Sequence, residues 1–387
     1  MTLPSVTQRG AGWVGLEFEI VPAMDPAVLG PLWQELLGRA EAPFFLDWQW
    51  IGCWLAETGR RPEVLVGRAE GRVVLLGALL PSVRRVLGLP VRGLRLHATG
   101  EDAIDVITNE YNGFLVDCAW RGRAEMAAVG FLMGGRAIAG AVRDELHMKG
   151  VGGAFSGADW FQPSAVPAGI SVREVSRRPA WHVDLDAVRA GGGDYLASLS
   201  ANTRQQIRRA MRLYEKRGPL RGVRATTRAQ ALAFLADVAA RHQTYWTGRG
   251  ELGGWHWPFF ERFQRRLVAD CVEAGGAELF QVSAGETILG TLYNFVHQGR
   301  VLSYQSGINY EADGKLKPGL ICHALCIQRH LDEGASMYDF MAGEARYKAS
   351  LGQPGPAMSY WLVARRTPLL RLEAALKGLR DRVRSRG

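Results

Sequence analysis

Hydrophobic and polar residues alternate along the chain with two different periods, and each change of period marks a predicted element. Apolar residues recur at helical spacing over 26–40, and a second, aromatic-rich helix is predicted over 45–55. Two strands joined by a tight Glu-Gly turn follow over 64–68 and 72–80. The other elements predicted in this half are strands over 16–21, 94–97, 113–116 and 145–151 and a helix over 123–132.

The second half of the chain repeats this order of elements. A segment rich in Gly, Pro and Ser, 155–173, separates the two halves. This mixture of strands and helices predicts the α/β (α+β layered) fold class, with domains at 1–165 and 166–364 and a basic helix at 365–387. The elements predicted in the second half are helices over 200–217, 229–245, 258–273 and 319–333 and strands over 278–283, 287–297, 301–309, 337–341 and 359–363.

The composition is that of a folded protein, with 47% hydrophobic and 22% charged residues, and it excludes intrinsic disorder. No stretch approaches the roughly 18 to 20 apolar residues of a membrane helix. The first residues lack the apolar region of a signal peptide. Five scattered cysteines, mostly in apolar segments, are typical of buried thiols in a reducing compartment. We therefore expect a cytoplasmic protein.

Two large enzyme classes are excluded by the motifs. No Gly-x-Gly-x-x-Gly follows the first predicted strand, and no Walker sequence is found. Dinucleotide-dependent oxidoreductases and P-loop kinases depend on those phosphate-binding loops. The chemistry must therefore be sought elsewhere in the chain.

The net charge of +9 is concentrated in two segments. Between 203 and 228, nine Arg or Lys accompany only one acid, Glu215. From 362 to the end, eight Arg or Lys accompany Glu373 and Asp381. Local patches favour a phosphorylated cofactor, a pyrophosphate-linked substrate or a membrane surface over nonspecific nucleic-acid binding. A solvated helix face is the alternative for each patch.

A candidate anion site lies where the helix over 319–333 is predicted to begin. Helix N-termini bind phosphate groups through free backbone N–H groups and the helix dipole. Lys315 and Lys317 add positive charge, and Gly319 lets an anion approach the backbone. A proline at a helix start for structural reasons alone is the alternative. The candidate donor-binding residues are Lys315, Lys317, Pro318, Gly319 and Leu320.

A second cluster follows the strand over 337–341. Asp339 lies in an otherwise apolar strand, where an unpaired carboxylate is costly. Several ionisable residues come directly after the Gly343 turn. A structural salt bridge from Asp339 to Arg346 or Lys348 is the alternative to a functional role.

These two clusters resemble FemAB-like members of the GNAT acyltransferase superfamily, of the type often labelled CelD-like. The resemblance covers roughly 16–363 and implies two tandem GNAT-like domains, each a mixed, mostly antiparallel sheet flanked by helices. It also implies an acyl-CoA donor, most readily acetyl-CoA, with its pyrophosphate at Lys317 to Leu320, and no metal. The residues that carry the resemblance are Phe44-Phe45, Trp50, Trp54, Leu199-Ser200, Arg208-Arg209, Tyr304, Lys317-Pro318-Gly319-Leu320, Tyr338-Asp339-Phe340, Gly343-Glu344 and Tyr347-Lys348.

Acyl transfer to an amine requires a group that takes a proton from the amine and a group that protonates the leaving thiolate. We hypothesise that Asp339 or Glu344 is the base and that Tyr347 or Tyr304 is the proton donor. Lys348 would anchor an acidic or phosphorylated acceptor.

Acceptor-binding residues are predicted on the first helix of the second half. Arg204, Arg208 and Arg212 lie at i, i+4 and i+8 on one face, where they would hold a pyrophosphate-linked lipid or oligosaccharide, or a tRNA acceptor stem. The long helical arm common in tRNA-dependent Fem ligases does not fit the short spacing here, which disfavours tRNA. Trp246 is predicted to stack on a sugar, with ordinary packing as the alternative. Asn309 takes a position where the family often has Asp, and it is a further substrate-binding candidate.

The sequence Cys322-His323 with Cys326 does not predict a zinc site. The His side chain points about 100° around the helix from Cys322, and no second ligand pair follows at zinc-site spacing. These three side chains are predicted to be buried helix residues.

The last helix has an apolar stripe formed by Leu369, Leu372, Leu376, Leu379 and Val383, with most basic residues elsewhere around the helix. This pattern predicts an interfacial helix on an anionic membrane leaflet. Docking against the protein body is one alternative, and binding of an anionic regulator such as a cyclic dinucleotide is another.

The resemblance and the basic patches together predict an N-acetyltransferase that acts on an amino sugar of an envelope or exopolysaccharide precursor, saccharide or lipid-linked, at the inner membrane face. The choice of acceptor rests on family analogy. The alternatives are an aminoacyl-tRNA-dependent Fem-type ligase and a noncatalytic GNAT-like regulator that binds an anionic ligand such as a cyclic dinucleotide.

Overall fold

A computed structural model of the protein describes residues 6–8, 15–134, 137–138, 141–152, 161 and 163–384. The chain forms two compact units. Unit 1 comprises 1–177 and 358–387, and unit 2 comprises 178–357. The final helix, which the sequence set apart as a third segment, is grouped with unit 1.

The strands are β1 (Val6–Gln8), β2 (Glu17–Val21), β3 (Glu63–Ala69), β4 (Arg72–Val86), β5 (Leu89–Leu96), β6 (Leu115–Val116), β7 (Ala137–Ile138), β8 (Ala141–Val142), β9 (Glu145–Gly152), β10 (Ile170–Asp184), β11 (Leu220–Arg224), β12 (Ala277–Ala284), β13 (Thr287–His297), β14 (Arg300–Ile308), β15 (Met337–Ala342) and β16 (Gln353–Arg365). The helices are α1 (Pro26–Leu37), α2 (Trp48–Thr58), α3 (Asp102–Asp105), α4 (Arg123–Met133), α5 (Leu185–Ala190), α6 (Tyr195–Ser198), α7 (Ala201–Glu215), α8 (Arg228–Thr247), α9 (Pro258–Cys271), α10 (Pro318–Asp332), α11 (Arg346–Leu351) and α12 (Pro368–Arg384).

The sheet of unit 1 has the order β1-β2-β3-β4-β5-β9-β16, and β6 pairs with β4. Neighbouring strands are antiparallel except for the parallel pair of β5 and β9. Helix α4 packs Ala127, Val129 and Leu132 into the core with Leu75 and Leu94 of the sheet. Burial of this apolar surface is the main stabilising term in the unit.

The sheet of unit 2 has the order β10-β15-β14-β13-β12-β11. All neighbours are antiparallel except β14 and β15, which run parallel. Helix α10 packs Ile321 and Ile327 into a core with Leu292 of β13 and Tyr338 of β15. The predicted strands over 278–283, 287–297 and 301–309 are confirmed as β12, β13 and β14, and the helix over 319–333 is confirmed as α10.

Strand β4 is longer than the hydrophobic pattern indicated, and strand β10 was missed. The pattern ended one strand at residue 80 because Arg84 and Arg85 interrupt the apolar run, yet β4 continues to Val86. Arg84 is tolerated there because its guanidinium group binds the buried carboxylate of Glu145, with 2.9 Å between Nε and Oε2. Strand β10 was not predicted at all, since much of it is charged and exposed.

Candidate active site

Strands β14 and β15 separate along their length. Their paired positions extend only from Arg300–Met337 to Leu302–Asp339, although both strands continue beyond the last pair. Tyr304 falls at a register shift between β14 and β13 and forms a β-bulge. The carboxyl-terminal halves of β14 and β15 therefore do not pair with each other. In β15, the Phe340 and Ala342 carbonyls and the Met341 N–H are bonded to the side chains of Lys348 and Asp339, so β14 is the strand whose edge can pair with an extended, amide-containing ligand.

Helix α10 begins in the loop that follows β14, and its first turn is uncapped. Lys317 occupies the N-cap position, and its side chain makes no capping hydrogen bond. Pro318 has no N–H, and the N–H of Ile321 donates to the Lys317 carbonyl at 3.2 Å. The N–H groups of Gly319 and Leu320 are thus left without a capping side chain. Such donors, together with the helix dipole, bind phosphate groups.

A methyl group would fit beside Gly319 in contact with its neighbours. A Cβ atom at this position would meet Ile308 at 3.7 Å and the Tyr310 hydroxyl at 3.9 Å, which are ordinary van der Waals distances. The surrounding protein therefore does not require a glycine here, and the missing side chain leaves room for a ligand. Lys317 is half-buried and Lys315 is exposed, so both add positive charge near this helix start.

An exposed aromatic pair stands beside the helix start. The rings of Tyr245 and Tyr310 lie 5.3 Å apart at an interplanar angle of 34°, and Tyr310 is 60% exposed. The Arg249 guanidinium group lies 4.8 Å from the centroid of the Tyr245 ring. Sequence reasoning assigned no role to these tyrosines. The available signal was an aromatic residue in the polar loop between a strand and a helix.

The loop before α10 is held by one arginine of the basic patch. Arg217 forms a bidentate ion pair with Glu311, at 2.9 and 2.8 Å, and the Tyr214 hydroxyl donates to the same carboxylate at 2.8 Å. Arg217 therefore positions the loop. It does not contribute a free charge to the surface.

Asp339, one of the two candidate bases, lies in the core of unit 2 and is 1% exposed. Its Oδ1 accepts a hydrogen bond from the Met341 N–H at 2.7 Å. Met341 has a φ of 62°, in the left-handed region that non-glycine residues seldom adopt. The carboxylate of Asp339 thus stabilises a strained backbone position near the end of β15.

Lys348, predicted to anchor an acidic acceptor, is buried and bound to the backbone. Its Nζ donates to the carbonyl oxygens of Phe340 and Ala342, both at 2.7 Å. The ammonium group therefore holds the end of β15 against α11. This arrangement depends on a tertiary contact that the sequence pattern does not contain.

Glu344 and Tyr347 are the remaining candidates in this segment. Glu344 is exposed in the turn between β15 and α11. The Tyr347 ring stacks on His323, with centroids 5.1 Å apart and an angle of 14°. Burial raises the pKa of Tyr347, and the neighbouring Tyr310 and Tyr245 raise it further, so the hydroxyl stays protonated. Within the described part of the chain, no residue hydrogen-bonds this hydroxyl.

The hydroxyl of Tyr304, the alternative proton donor, is already engaged. It accepts a hydrogen bond from Nε2 of Gln264 at 2.9 Å, and Oε1 of Gln264 accepts one from Tyr293 at 3.0 Å. The Tyr304 ring lies 4.9 Å from that of Phe295. Sequence reasoning missed Gln264, because a glutamine on the apolar face of a predicted helix gives no catalytic signal.

The three predicted arginines of α7 have different environments. Arg204 donates from Nη1 to the carbonyl oxygens of Ala197 and Leu199, at 3.0 and 3.2 Å. Arg208 and Arg212 are exposed. Only these last two present their full charge to solvent.

Trp246 and Asn309 are both fixed by hydrogen bonds. Nε1 of Trp246 donates to Nε2 of His242 at 2.9 Å. Nδ2 of Asn309 donates to the Ile288 carbonyl at 3.1 Å. Asn309 thus ties the start of the α10 loop to β13.

Cys322, His323 and Cys326 are buried in α10, as the helix pattern predicted. Burial and, to a smaller extent, the nearby Lys348 lower the pKa of His323 to about 3. A different group, Glu278 with Cys326 and His330, brings three ligand atoms within 4.8 Å of one another and is the set among the described residues that could hold a metal ion.

Protein groups already satisfy Glu278 in this arrangement. Its carboxylate accepts hydrogen bonds from Nε of Arg224 at 2.6 Å, Nδ2 of Asn294 at 2.8 Å and Nε2 of His330 at 2.9 Å. Burial alone would raise the pKa of Glu278, but these partners outweigh it and hold the pKa at about 2.

We expect unit 2 to lose stability in acid because of Glu278. Its pKa is lower folded than unfolded, so the stabilisation is complete above the unfolded value of about 4.3 and is lost as the pH falls toward about 2. Urea unfolding between pH 6 and pH 2 should show a smaller acid loss for Glu278→Gln than for the wild type. The exposed Glu286→Gln variant should behave as the wild type. Equal acid loss in all three proteins would contradict the assignment.

Comparison with known proteins agrees with this geometry. Residues 201–349 match the model of the Acetyltransferase (GNAT) domain. The crystal structure of FemX superposes with a TM-score of 0.56 at 14% identity, covering 90% of this chain and 98% of that one. The C-terminal domain (DUF2156) of a putative lysylphosphatidylglycerol synthetase from Agrobacterium fabrum gives 0.50 at 11% identity, covering 91% and 96%. A tandem GNAT protein from the clavulanic acid biosynthesis pathway gives 0.41 at 15% identity, covering 91% and 99%. Comparison with curated proteins gives no match.

The fold and the matched segment define a GNAT acyltransferase, a class of enzyme that uses an acyl-CoA donor. Residues 201–349 carry a GNAT acetyltransferase domain of the FemAB/CelD-like type, and the chain has the fold of FemX. The resemblance and fold class predicted from the sequence are thereby confirmed.

Proposed function

We propose that the protein is an N-acetyltransferase that takes acetyl-CoA as its donor. The observation that carries this proposal is the uncapped start of α10, where the N–H groups of Gly319 and Leu320 have no capping side chain and Gly319 has no side chain of its own. Lys315 and Lys317 add the positive charge that a pyrophosphate requires. The amide-containing arm of the donor would pair with the edge of β14 beyond its last pair with β15 and bring the thioester to the Tyr347 side.

The reaction is an acyl transfer that balances within the two substrates. The amine nitrogen attacks the thioester carbonyl, the new C–N bond forms, and the C–S bond breaks. One proton leaves the amine and one reaches the thiolate. Backbone N–H groups at the free strand edges are the donors available to the oxyanion of the tetrahedral intermediate.

Glu344 is the better candidate base of the two carboxylates. It is exposed in the turn after β15, whereas the Asp339 carboxylate is buried and bound to the Met341 N–H. Tyr347 is the better candidate proton donor of the two tyrosines, because no described residue bonds its hydroxyl, whereas Gln264 bonds that of Tyr304. General acid and base groups of this kind contribute about 10²- to 10⁴-fold each.

The proposed acceptor is an amino sugar of an envelope or exopolysaccharide precursor, and the proposed location of the reaction is the cytoplasm. In support, a cavity of about 750 Å³ in unit 2 has polar side chains among its lining residues. Its two carboxylates, Asp184 and Asp194, each cap a helix through Oδ1, and their charge suits a protonated amine, while hydroxyl and amide groups suit a sugar. The polar lining residues are His182, Asp184, Asp194, Ser198, Ser200, Thr203, Ser350 and Gln353.

Thermal unfolding with a ligand panel tests the donor. Acetyl-CoA at 100 times its dissociation constant should stabilise the protein by about 2.7 kcal/mol, whereas aminoacyl-tRNA and cyclic dinucleotides should not. Addition of an amino sugar should then release free CoA thiol, with glucose at the same concentration as the control. Stabilisation by aminoacyl-tRNA or a cyclic dinucleotide without any response to acetyl-CoA would contradict the proposal.

A further inference from the structure

Helix α12 is docked on unit 1 by its polar edge. Glu373 forms a bidentate ion pair with Arg84 of β4, at 2.8 and 2.7 Å, and Lys377 lies 2.6 Å from the same carboxylate. Arg84 also binds the buried Glu145. Burial alone would raise the pKa of Glu145, but Arg84 and His147 hold it at about 2. The contact that fixes α12 is therefore a charged network.

The apolar stripe of α12 is left outside this contact. Leu372 and Leu376 are each 48% exposed, whereas Leu369 and Leu370 near the helix start are half-buried. At 100° per residue, the stripe lies about 80° around the helix from Glu373. An amphipathic helix that stabilised the fold would bury these positions, and in α12 Leu372 and Leu376 are not buried.

The neighbouring hairpin adds exposed leucines to the same unit. Strands β4 and β5 form this hairpin, in which Leu87 is 64% and Leu89 is 56% exposed at the turn. Val86 and Val91 of the same hairpin are buried, so its root is packed while its tip presents apolar side chains to solvent. Because Arg84 lies on β4, this hairpin is the element to which α12 is tied.

Basic residues accompany these leucines. Arg85 and Arg92 of the hairpin and Arg371 and Lys377 of α12 are all exposed. Segment 362–387 has eight Arg or Lys against two acids. Exposed apolar side chains among excess positive charge match an anionic lipid surface, where leucines enter the headgroup boundary and cations bind lipid phosphates.

We infer that the α12 stripe and the β4–β5 hairpin tip together form a docking surface for an anionic lipid bilayer. Among the described residues, no helix is long and apolar enough to cross a membrane, so α12 would lie along the interface. The inference uses only unit 1 and does not depend on the donor or acceptor proposed for unit 2. The test must distinguish membrane binding from self-association through the same leucines.

Flotation with vesicles tests this surface in the full-length protein. The wild type should bind mixed phosphatidylcholine and phosphatidylglycerol vesicles and not phosphatidylcholine alone. The double variants Leu372→Gln/Leu376→Gln and Leu87→Asn/Leu89→Thr should each reduce the partition coefficient by about tenfold or more. Val28→Gln, which removes an equally exposed apolar side chain from α1, should bind as the wild type.

Three results would overturn the inference. The first is that both double variants bind anionic vesicles as well as the wild type does. The second is that the wild type binds neutral and anionic vesicles equally. The third is that the wild type binds no vesicles but forms a dimer in light scattering, and either double variant abolishes that dimer. Circular dichroism of each variant should match the wild type, since all the substituted side chains are exposed. A variant that folds like the wild type but binds anionic vesicles less well supports the proposed docking surface.

Discussion

Gly319→Ala should raise the KM for acetyl-CoA by about tenfold or more without lowering the melting temperature. The added methyl group would fit among Ile308 and Tyr310 beside the two uncapped N–H groups and push the pyrophosphate away, and hydrogen bonds to charged groups are worth about 1.5–3 kcal/mol. Alanine is the better helix former, so the folded state should be unchanged or slightly more stable. Steady-state kinetics and a thermal melt measure both effects.

Gly314→Ala is the matched control for this variant. Gly314 lies in the same loop, and a Cβ atom there would meet nothing within 4 Å. Its KM should stay at the wild-type value. If the two variants bound acetyl-CoA equally well, the donor would not lie at the start of α10.

Glu344→Gln should lower kcat by about 10²- to 10³-fold while leaving the KM for acetyl-CoA nearly unchanged, because a general base acts on the acceptor amine and not on donor binding. Pre-steady-state kinetics measures the chemical step directly.

The variant Asp339→Asn tests whether Asp339 is the general base or a residue that stabilises the backbone. Asparagine keeps the Oδ1 acceptor for the Met341 N–H, so activity should persist while stability falls through loss of the charged acceptor. A large loss of kcat in Asp339→Asn, with Glu344→Gln active, would reverse the assignment.

Tyr347→Phe should lose activity at the step that protonates the thiolate, and a leaving group of lower basicity should restore part of the rate.

Local sequence signals predicted the frame of unit 2 well. Ser200 was predicted as an N-cap, and its Oγ accepts the Thr203 N–H at 3.3 Å. The start of α10 at Pro318 and the strands before it also followed from periodicity and turn residues. These features depend on neighbours within a few positions, which is the range that a hydrophobic pattern covers.

The environments of the site residues could not be predicted in the same way. Lys348 and Asp339 appear in the sequence as charges near a turn, yet one binds backbone carbonyls and the other a backbone N–H. Tyr347 and Tyr304 are both tyrosines near the candidate active site. Only Tyr304 forms a hydrogen bond with Gln264, which lies on a helix forty residues away in the chain. The environment of each of these residues depends on a backbone distortion or on an element distant in the sequence, and a local hydrophobic pattern gives no information about either.

A crystal structure with acetyl-CoA would show where the donor binds. We expect pyrophosphate oxygens within about 3 Å of the Gly319 and Leu320 nitrogens, with the donor arm between β14 and β15. A donor bound at another part of the chain, or no density at the start of α10 under saturating acetyl-CoA, would contradict this expectation.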